Sequence, residues 1–529
     1  MKKQKKVLAA LLSLTTLIGS ASCGSSRDAS STAATTSQAT VVAAATADPN
    51  AELNADIDWE EKANIDSVDA ANEEGTGPAY TPGQKAGHVK ALCYYDIVAS
   101  EPEITEIFAE RYGGTLETEI TSSGNAYFEK LGTLIAAGLS PDLVRYDWAA
   151  YPDGISRNRY TALDEWLDIE SPLWSDIASV IDSFEYLGKH YYFPQNAQSN
   201  FAIIYNRRLV EEEAMPDPAD LYFAGEWDWD AFESMIKQWA GKGEGYIGYT
   251  GGSWSSMMFI NTTGTKTIDL NGTEIINNLK SQQASRTMNW LEGLQKQGFI
   301  GEGYIHPGDA FKDGKLLFLG MGLTWGIESA QECLFKNNIE GEIVAVPFPR
   351  DPQADKYYLA SDTFGYMVPA GAQNIQGAVQ WILSARIYET DPDVVAEKRA
   401  EWMYDGPTYY PKCPECKFNC EEAGFADSAT CPECNAARKL KFKPIYTEEQ
   451  LQINDDMINP EKFELIFDSP VGFNEDFQEI FINGEDSVFD GPLYHGASYT
   501  QLVEEMYNMI EAHLEPYREA LASGTVVAG

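Results

Sequence analysis

Alternating apolar and polar stretches predict an α/β fold for this chain. A strand-like run, ALCYYDIVA at 91–99, is followed by apolar residues at helical spacing that end at a glycine pair. A second strand at 116–120, a second helical pattern at 127–135 and a third strand entered at 141–144 come next. Because this βαβαβ order suits parallel strands joined by crossover helices, it predicts a parallel sheet with helices on both faces.

Two strands are predicted close together in the middle of the chain. The aromatic run at 191–193 indicates a short strand that we expect to end at Pro194, before a polar segment. FAIIYN at 201–206 indicates a buried strand, because a short apolar run rich in β-branched and aromatic residues suits a covered sheet.

A helix is predicted to start at Asp228. Its carboxylate can cap the first turn, and Trp227 and Phe232 have the spacing of a hydrophobic staple across that cap. We therefore assign Trp227 and Trp229 to helix packing.

These parts, in this order, resemble one family: the extracellular solute-binding proteins of sugar-importing ABC transporters. Members carry "Y-x-x-P", then a polar crossover, then "Y-N-[KR]", then a helix start "W-[TD]-W-[DE]-[ED]-[FL]". The matching residues here are Tyr191 with Pro194, Tyr205-Asn206-Arg207, and the run from Trp227 to Phe232, in which Ala231 replaces the usual acid. Segments 132–148, 311–315 and 344–349 also resemble family passages.

The resemblance implies a two-lobe, periplasmic-binding-protein-like (type II) α/β fold with a hinge, each lobe being discontinuous in sequence. The first lobe is expected to comprise 86–197 and 363–460, and the second 198–362 and 461–522. The implied function is capture of a carbohydrate by lobe closure and delivery to ABC permease subunits, by a monomer that is not an enzyme. Two alternatives are an extracellular carbohydrate-active enzyme and a surface glycan adhesin or receptor without import.

Composition and motifs narrow the function further. The chain has 529 residues, 44% of them hydrophobic, with a formal net charge of −43. Such an excess of acid argues against nucleic acid as a partner, because phosphates require a basic face. The sequence contains no G-x-S-x-G, H-E-x-x-H, P-loop or dinucleotide fingerprint, so no motif identifies a catalytic centre.

The N-terminal sequence resembles a bacterial lipoprotein signal. A basic start, an apolar segment too short to span a bilayer and small residues precede Cys23, which is the expected lipidation site. Ser20 stands where lipoproteins usually carry leucine, so an ordinary cleavable signal is the alternative. Residues 23–85 are rich in Ser, Thr, Ala and acids and are predicted to be a disordered tether, which implies an extracytoplasmic protein anchored to the membrane by lipid.

A sugar presents hydroxyls and flat C–H patches, so its site needs carboxylates, amides and aromatic faces. In parallel sheets, such side chains belong in loops at the carboxyl ends of strands. Candidates that follow predicted strands or lie at the predicted hinge are Tyr95, Asp96, Ser123, Asn125, Asp147, Trp148, Gln195, Asn196, Trp254, Trp325 and Asp362. Trp325 is expected to end a strand, and Trp254 lies in a Gly/Ser loop; core packing is the alternative for each aromatic residue.

Residues 406–442 interrupt the family pattern with two CxxC motifs. Four thiolates at Cys413, Cys416, Cys431 and Cys434 can form a closed tetrahedral site for structural zinc, or for iron of rubredoxin type. Disulfides are the alternative in an exported protein, but Cys420 makes the local cysteine count odd. Because the insertion interrupts the pattern in one place, we expect the lobe to close without it.

Overall fold

The computed structural model describes residues 75–198, 201–252, 254–271, 274–421, 423–426, 428–473, 476–482 and 484–527. The predicted signal segment, Cys23 and most of the predicted tether lie outside these residues. In the described part of the chain, no helix is long and apolar enough to cross a membrane.

The strands are, in chain order, β1 (His88–Cys93), β2 (Thr115–Ile120), β3 (Leu143–Arg145), β4 (Tyr192–Gln198), β5 (Ala202–Asn206), β6 (Ile247–Gly251), β7 (Ile268–Asn271), β8 (Glu274–Asn277), β9 (Leu316–Met321), β10 (Ile343–Pro347), β11 (Tyr358–Ala360), β12 (Asp362–Met367), β13 (Thr408–Tyr409), β14 (Leu440–Lys441) and β15 (Glu464–Ile466).

The α-helices are α1 (Ile97–Ser100), α2 (Pro102–Tyr112), α3 (Asn125–Ala136), α4 (Asp153–Ser156), α5 (Ala178–Asp182), α6 (Arg207–Glu212), α7 (Pro218–Ala224), α8 (Trp229–Ala240), α9 (Ser255–Asn261), α10 (Gln282–Lys296), α11 (Pro307–Ala310), α12 (Leu323–Asn337), α13 (Ile375–Thr390), α14 (Pro392–Met403), α15 (Glu448–Met457), α16 (Asp476–Ile482), α17 (Asp490–His495) and α18 (Tyr499–Ser523).

Two separate sheets form the cores of two lobes. The first has the order β2-β1-β3-β12-β4, with β1 parallel to β2 and β3 and with β12 antiparallel to β3 and β4. The second has the order β10-β5-β9-β6, with β6 parallel to β9 and β5 antiparallel to β9 and β10. The predicted two-lobe α/β class and the βαβαβ start are confirmed.

The lobes are joined where β4 leads to β5 and where β11 leads to β12. β11 also pairs with β15, and the N–H of Ser361 donates to the carbonyl oxygen of Ile466, so a third strand runs beside this connection. Each lobe is therefore assembled from segments that are distant in sequence, as predicted.

The predicted helix start at Asp228 is confirmed. The Asp228 carboxylate accepts a hydrogen bond from the N–H of Ala231 at 2.9 Å, which satisfies one free donor of the first turn of α8. The rings of Trp227 and Phe232 lie 6.2 Å apart across this cap, and Trp229 stacks on Trp290 at 4.5 Å. All of these aromatic side chains except Trp290 are buried, so they form core rather than binding surface.

Two strand predictions are wrong at their ends. β4 does not stop at Pro194 but continues to Gln198, because a register shift opposite Phe364 and Gly365 lets the proline sit in the sheet. Conversely, β1 ends at Cys93, because the Asp96 carboxylate accepts from the N–H of Ala99 and starts the short helix α1.

Residues 75–85, which were predicted to belong to the tether, are part of the first lobe. The N–H groups of Gly77 and Ala79 donate to the carbonyl oxygens of Trp166 and Glu165, and Tyr80 is buried. Backbone pairing, one aromatic side chain and hydrogen bonds with the side-chain amides of Gln376 and Gln380 hold this segment, and none of these produces the apolar periodicity on which the prediction relied.

The helix α15 was predicted to lie in the first lobe, but it packs on the second sheet. The side-chain amide of Gln450 donates to the carbonyl oxygen of Ala345 and accepts from its N–H, at 3.1 and 2.7 Å. The amide thereby pairs with backbone groups on the free edge of β10. Because α15 packs on this strand, the chain has already passed to the second lobe at residue 448.

Candidate functional site

In the first lobe, the carboxyl end of β3 places a buried arginine among residues from three strands. Arg145 donates to the hydroxyl oxygen of Tyr94, which follows β1. Its guanidinium also lies over the rings of Tyr94 and Phe364, at 5.2 and 4.8 Å from their centroids. Its Nη1 is 3.8 Å from a carboxylate oxygen of Asp147. A cation with aromatic faces and a carboxylate around it fixes the positions of all three neighbours.

Asp147 is held at this position with little access to water. Its carboxylate accepts from the N–H of Trp148 at 2.8 Å and caps the 3-10 turn Trp148–Ala150. Burial raises the pKa of the Asp147 carboxyl, and Arg145 opposes that rise. A carboxylate fixed in this way is suited to accept hydrogen bonds from ligand hydroxyls.

A row of aromatic rings connects the loops that follow β1 and β3. The rings of Tyr94 and Tyr127 are 5.9 Å apart, those of Tyr127 and Phe128 are 5.2 Å apart, and those of Phe128 and Trp148 are 5.1 Å apart, all edge to face. Tyr95 adjoins the row, 5.4 Å from Tyr94. Trp148 remains half-buried, so part of its ring faces outward.

The hinge strands bring three further candidates to the same end of the sheet. Asn196 pairs with Phe364 across β4 and β12, which places it next to the ring that Arg145 covers. The side-chain oxygens of Gln195 and Asn196 are buried and accept no hydrogen bond from the described residues. Asp362 pairs with Gln198, accepts from the N–H of Thr363 at 2.8 Å and raises the pKa of Asp147 by its charge.

Three predicted residues lie outside this cluster. Asp96 is exposed, and its carboxylate is used to cap α1. Asn125 is the exposed first residue of α3, one turn before Phe128, and Ser123 is exposed in the preceding turn. Asp147, Trp148, Asn196 and Asp362 are the predicted residues that the structure brings together. Tyr95 adjoins them through Tyr94, with its hydroxyl buried, and Gln195 is buried.

In the second lobe, Trp254 follows β6 and occupies the cap position of α9. β6 and β9 are parallel neighbours, and the N–H of Gly252 donates to the carbonyl oxygen of Gly320, so the segments that follow both strands start at one edge. Trp254 is half-buried and packs partly on the main core. Its position in a Gly/Ser loop had indicated less contact with the core than this.

Trp325 was predicted to end a strand, but it lies in the first turn of α12. β9 stops at Met321, and the helix starts two residues later. The ring of Trp325 is 5.2 Å from that of His306, and both lie beyond the carboxyl end of β9. Burial raises the pKa of Glu328, one turn further along α12, to about 7, so this carboxyl is largely protonated below neutral pH.

Sequence reasoning missed Tyr94, Arg145, Phe364 and Glu328. A strand-end position could have suggested Tyr94, which lies beside the chosen Tyr95. An arginine within the buried run of β3 is the one local signal for Arg145, since a charge at a covered strand position needs partners. Nothing local indicates Phe364 or Glu328.

The four cysteines of the insertion converge on one point. Their sulfur atoms all lie within 4.8 Å of one another, and the pairs Cys413–Cys434 and Cys416–Cys431 are each 3.6 Å apart. A tetrahedron with metal–sulfur bonds of about 2.3 Å has edges of about 3.8 Å, so the cluster fits one ion. All seven described cysteines are free thiols, and Cys93 and Cys333 are buried in the lobes, away from this cluster.

Backbone N–H groups in each CxxC turn lower the pKa of the first cysteine of that turn, whereas, against a backbone hydrogen bond that lowers it, the pKa of the second cysteine is raised by burial and by hydrogen bonds with the neighbouring thiols. Hydrogen bonds from the N–H of Cys416, and then of Glu415, lower the pKa of Cys413. Burial opposes ionisation of Cys431, but the N–H groups of Cys434 and Glu433 bring its pKa down to about 6. Thiolates are the form that binds metal. Cys420 is buried beside the cluster but is not one of the four converging sulfurs.

Solved structures with this architecture are similar in fold but distant in sequence. An ABC substrate-binding protein from Listeria monocytogenes in complex with cycloalternan has 14% identity and a TM-score of 0.53, covering 81% of this chain and 99% of that one. A cyclo/maltodextrin-binding protein complexed with maltotetraose has 12% identity and a TM-score of 0.55, covering 82% and 98%. A sugar transporter protein from Rhizobium etli in an open conformation has 17% identity and a TM-score of 0.56, covering 80% and 99%.

No curated protein sequence matches the chain. The family model described as bacterial extracellular solute-binding protein, however, matches residues 103–407, which is more than half of the chain. The match includes β2 to β12 and thus most of both sheets. With its two-lobe fold, the chain therefore belongs to the family of bacterial extracellular solute-binding proteins.

Proposed function

We propose that this protein captures a carbohydrate, an oligosaccharide, between its lobes and delivers it to the permease subunits of an ABC importer. The observation that carries the proposal is the cluster at the carboxyl ends of β1 and β3. There, the carboxylate of Asp147 and the amide of Asn196 lie with the outward part of Trp148 at one end of the first sheet. Carboxylate, amide and aromatic face are the groups that hydroxyls and C–H patches require.

The second lobe supplies aromatic faces for the other side of such a ligand. Trp254 and Trp325 follow neighbouring parallel strands and are both partly exposed. Stacking on either ring would hold a sugar against the first-lobe polar groups when the lobes close. The ligands named for similar structures, cycloalternan and maltotetraose, support the choice of an oligosaccharide.

An array of mono- and oligosaccharides read by thermal shift tests this proposal. A binder at about 100 times its dissociation constant should stabilise the protein by about 2.7 kcal/mol. Product analysis of the same mixtures separates binding from catalysis: intact sugar supports the binding protein, and cleaved sugar supports the alternative of a carbohydrate-active enzyme. Stabilisation by glycans that the cell does not import would favour an adhesin.

The proposal includes one structural zinc, or iron, at Cys413, Cys416, Cys431 and Cys434. The separations between the four sulfur atoms support it. A metal held by four thiolates has no open coordination position, so its contribution is to hold the insertion folded. The insertion has a very small apolar cluster of its own, built from Cys413, Cys420 and Cys431 with Phe418 and Ala436.

We also propose an extracytoplasmic, lipid-anchored location. The support is the short apolar segment before Cys23 and the acidic, Ser/Thr/Ala-rich sequence that follows it. A lipid at Cys23 and a long tether would keep the lobes close to a membrane permease while leaving them free to bind sugar.

A further inference from the structure

The cysteine insertion lies where the chain passes from one lobe to the other. Before it, α14 packs on α13, which packs on β1 and β4 of the first sheet. After it, α15 packs on β10 of the second sheet. The two-stranded pair β13–β14, which we name the stem, therefore carries the cysteine cluster on a connection between the lobes.

The base of the stem contacts the end of α14 in the first lobe. The ammonium of Lys443 donates to the carbonyl oxygen of Glu401 at 2.7 Å and lies 4.7 Å from the ring centroid of Tyr404. The N–H of Tyr446 donates to the carbonyl oxygen of Trp402 at 2.9 Å. The carbonyl of Trp402 at the end of the helix thereby gains a partner, and that of Glu401, which already accepts from the N–H of Tyr404, gains a second one.

The same short segment contacts α12 in the second lobe. The side-chain amide of Gln331 donates to the carbonyl oxygen of Ile445 at 2.7 Å and accepts from its N–H at 2.9 Å. The rings of Phe335 and Phe442 are 5.7 Å apart. Residues 442–446 thus contact both lobes at once, one turn of α12 away from the carboxyl of Glu328 and two from Trp325.

A buried arginine connects the cysteine cluster to the stem. The guanidinium of Arg438 donates to the carbonyl oxygens of Ala426, Ser428 and Tyr410, at 2.7, 3.0 and 2.9 Å. Tyr410 follows β13, and the loop at 425–428 lies between the two CxxC turns. A metal that fixes the CxxC turns therefore also fixes β13 and β14, and residues 442–446 directly after β14 contact both lobes.

We propose that metal at the four cysteines regulates ligand binding by fixing the relative position of the lobes, an inference that rests on the proposed function. With metal, the connection between α14 and α15 is a short stem held at both ends. Without metal, it becomes a flexible loop, so the lobes sample more orientations and the binding-competent one is populated less. By linkage, sugar binding must then tighten metal binding by the same factor.

Two measurements on the full-length protein test this coupling. The first is the distance distribution between labels on unnatural amino acids at the exposed positions Glu110 in the first lobe and Gln297 in the second, with one equivalent of Zn²⁺ and after chelation. The distribution should broaden when zinc is removed. The second is the affinity for maltotetraose, which should weaken about fivefold or more on chelation.

Matched variants separate coupling from general damage. Gln331→Ala removes the contact with α12 but no metal ligand, so it should still bind one Zn²⁺ while the distances no longer respond to the metal. Cys420→Ser removes a cysteine that is not a ligand and should behave as the unchanged protein.

The outcomes are distinct for the two proposals. If the zinc-loaded protein binds no carbohydrate, the proposed function is contradicted. The distance measurement still shows whether the metal fixes the relative position of the lobes. Equal distance distributions with and without zinc, or equal maltotetraose affinity in both states, overturn the coupling while carbohydrate capture stands.

Discussion

Arg145 shows what sequence can and cannot reveal about the candidate site. Asp147 and Trp148 could be predicted because they directly follow a strand of a parallel sheet. The partners of Arg145 could not, because Tyr94 and Phe364 come from strands that lie distant in the chain and meet through sheet order. The position of Asp147 and Trp148 after a strand was thus predictable, whereas the contacts that fix them depend on topology.

We expect Trp254→Ala to lower ligand affinity and Trp229→Ala to lower stability. Trp254 is partly exposed beyond β6, so its loss should weaken oligosaccharide binding by about 0.5–1.5 kcal/mol with a small change in stability. Trp229 is buried and stacked on Trp290, so its loss should lower the free energy of unfolding by about 3–5 kcal/mol. Calorimetric titration and urea unfolding measure the two effects.

If Trp254→Ala lowers stability as much as Trp229→Ala and leaves affinity unchanged, Trp254 is a core residue and the second-lobe site is wrongly assigned.

Glu101 should make stability depend on pH. Burial raises its pKa from about 4.5 to about 8, and the hydroxyl of Tyr366 donates to its carboxylate. Between these values the folded protein keeps a proton that the unfolded chain releases, so the contribution of Glu101 to stability falls as pH rises and is lost above about 8. Relative to the unchanged protein, the free energy of unfolding of Glu101→Gln should therefore be higher at pH 8 than at pH 5, by on the order of 1–3 kcal/mol.

Urea unfolding of both proteins at pH 5 and pH 8 gives this difference directly. Glu103→Gln is the control, because its carboxyl is less buried and its pKa is raised less. A parallel pH dependence in the unchanged protein and in Glu101→Gln would show that Glu101 is ionised in the fold.

Elements were predictable where one short-range pattern determines them. The start of α8 follows from a capping carboxylate and a staple, both within six residues. The length of β4 could not be predicted in this way, because Pro194 fits in the sheet only through the register shift opposite Phe364 and Gly365. The lobe of α15 is likewise decided by Gln450 meeting an edge strand that is distant in sequence.

The CxxC insertion should contain about one zinc or iron per chain. Cys416→Ser should abolish this stoichiometry and increase hydrogen exchange across 406–442, because the insertion has almost no apolar core. Cys420→Ser is the matched control and should retain the metal. Metal analysis and mass spectrometry of freshly purified protein measure both; metal-free protein with these cysteines disulfide-linked would contradict the metal site.

The whole molecule combines an acidic surface with two lobes connected at several places. A net charge of −43 keeps such a protein soluble and disfavours polyanionic partners. The lobes touch beyond the hinge strands as well: the hydroxyl of Tyr517 in α18 donates to Asp153 at 2.6 Å, and the rings of Phe184 and Phe467 are 5.5 Å apart. The resemblance predicted the two lobes, but not these contacts or the stem.

Cys23→Ala should release the protein from membranes without changing its fold or its ligand affinity. The reason is that the short apolar segment cannot span a bilayer, so the lipid at Cys23 would be the anchor. Fractionation after a salt wash measures this. A variant that stays in the membrane fraction would contradict the lipoprotein proposal.

Titration calorimetry of the metal-loaded protein with oligosaccharides from the thermal-shift array, repeated with Asp147→Asn, tests carbohydrate capture most directly. We expect one oligosaccharide bound per chain, without cleavage, and a binding free energy that weakens by about 1.5–3 kcal/mol when the Asp147 carboxylate becomes an amide. Asn retains an oxygen for the N–H of Trp148, so the local fold should survive. Failure of every oligosaccharide to bind, or binding that is unchanged in Asp147→Asn, would contradict the account.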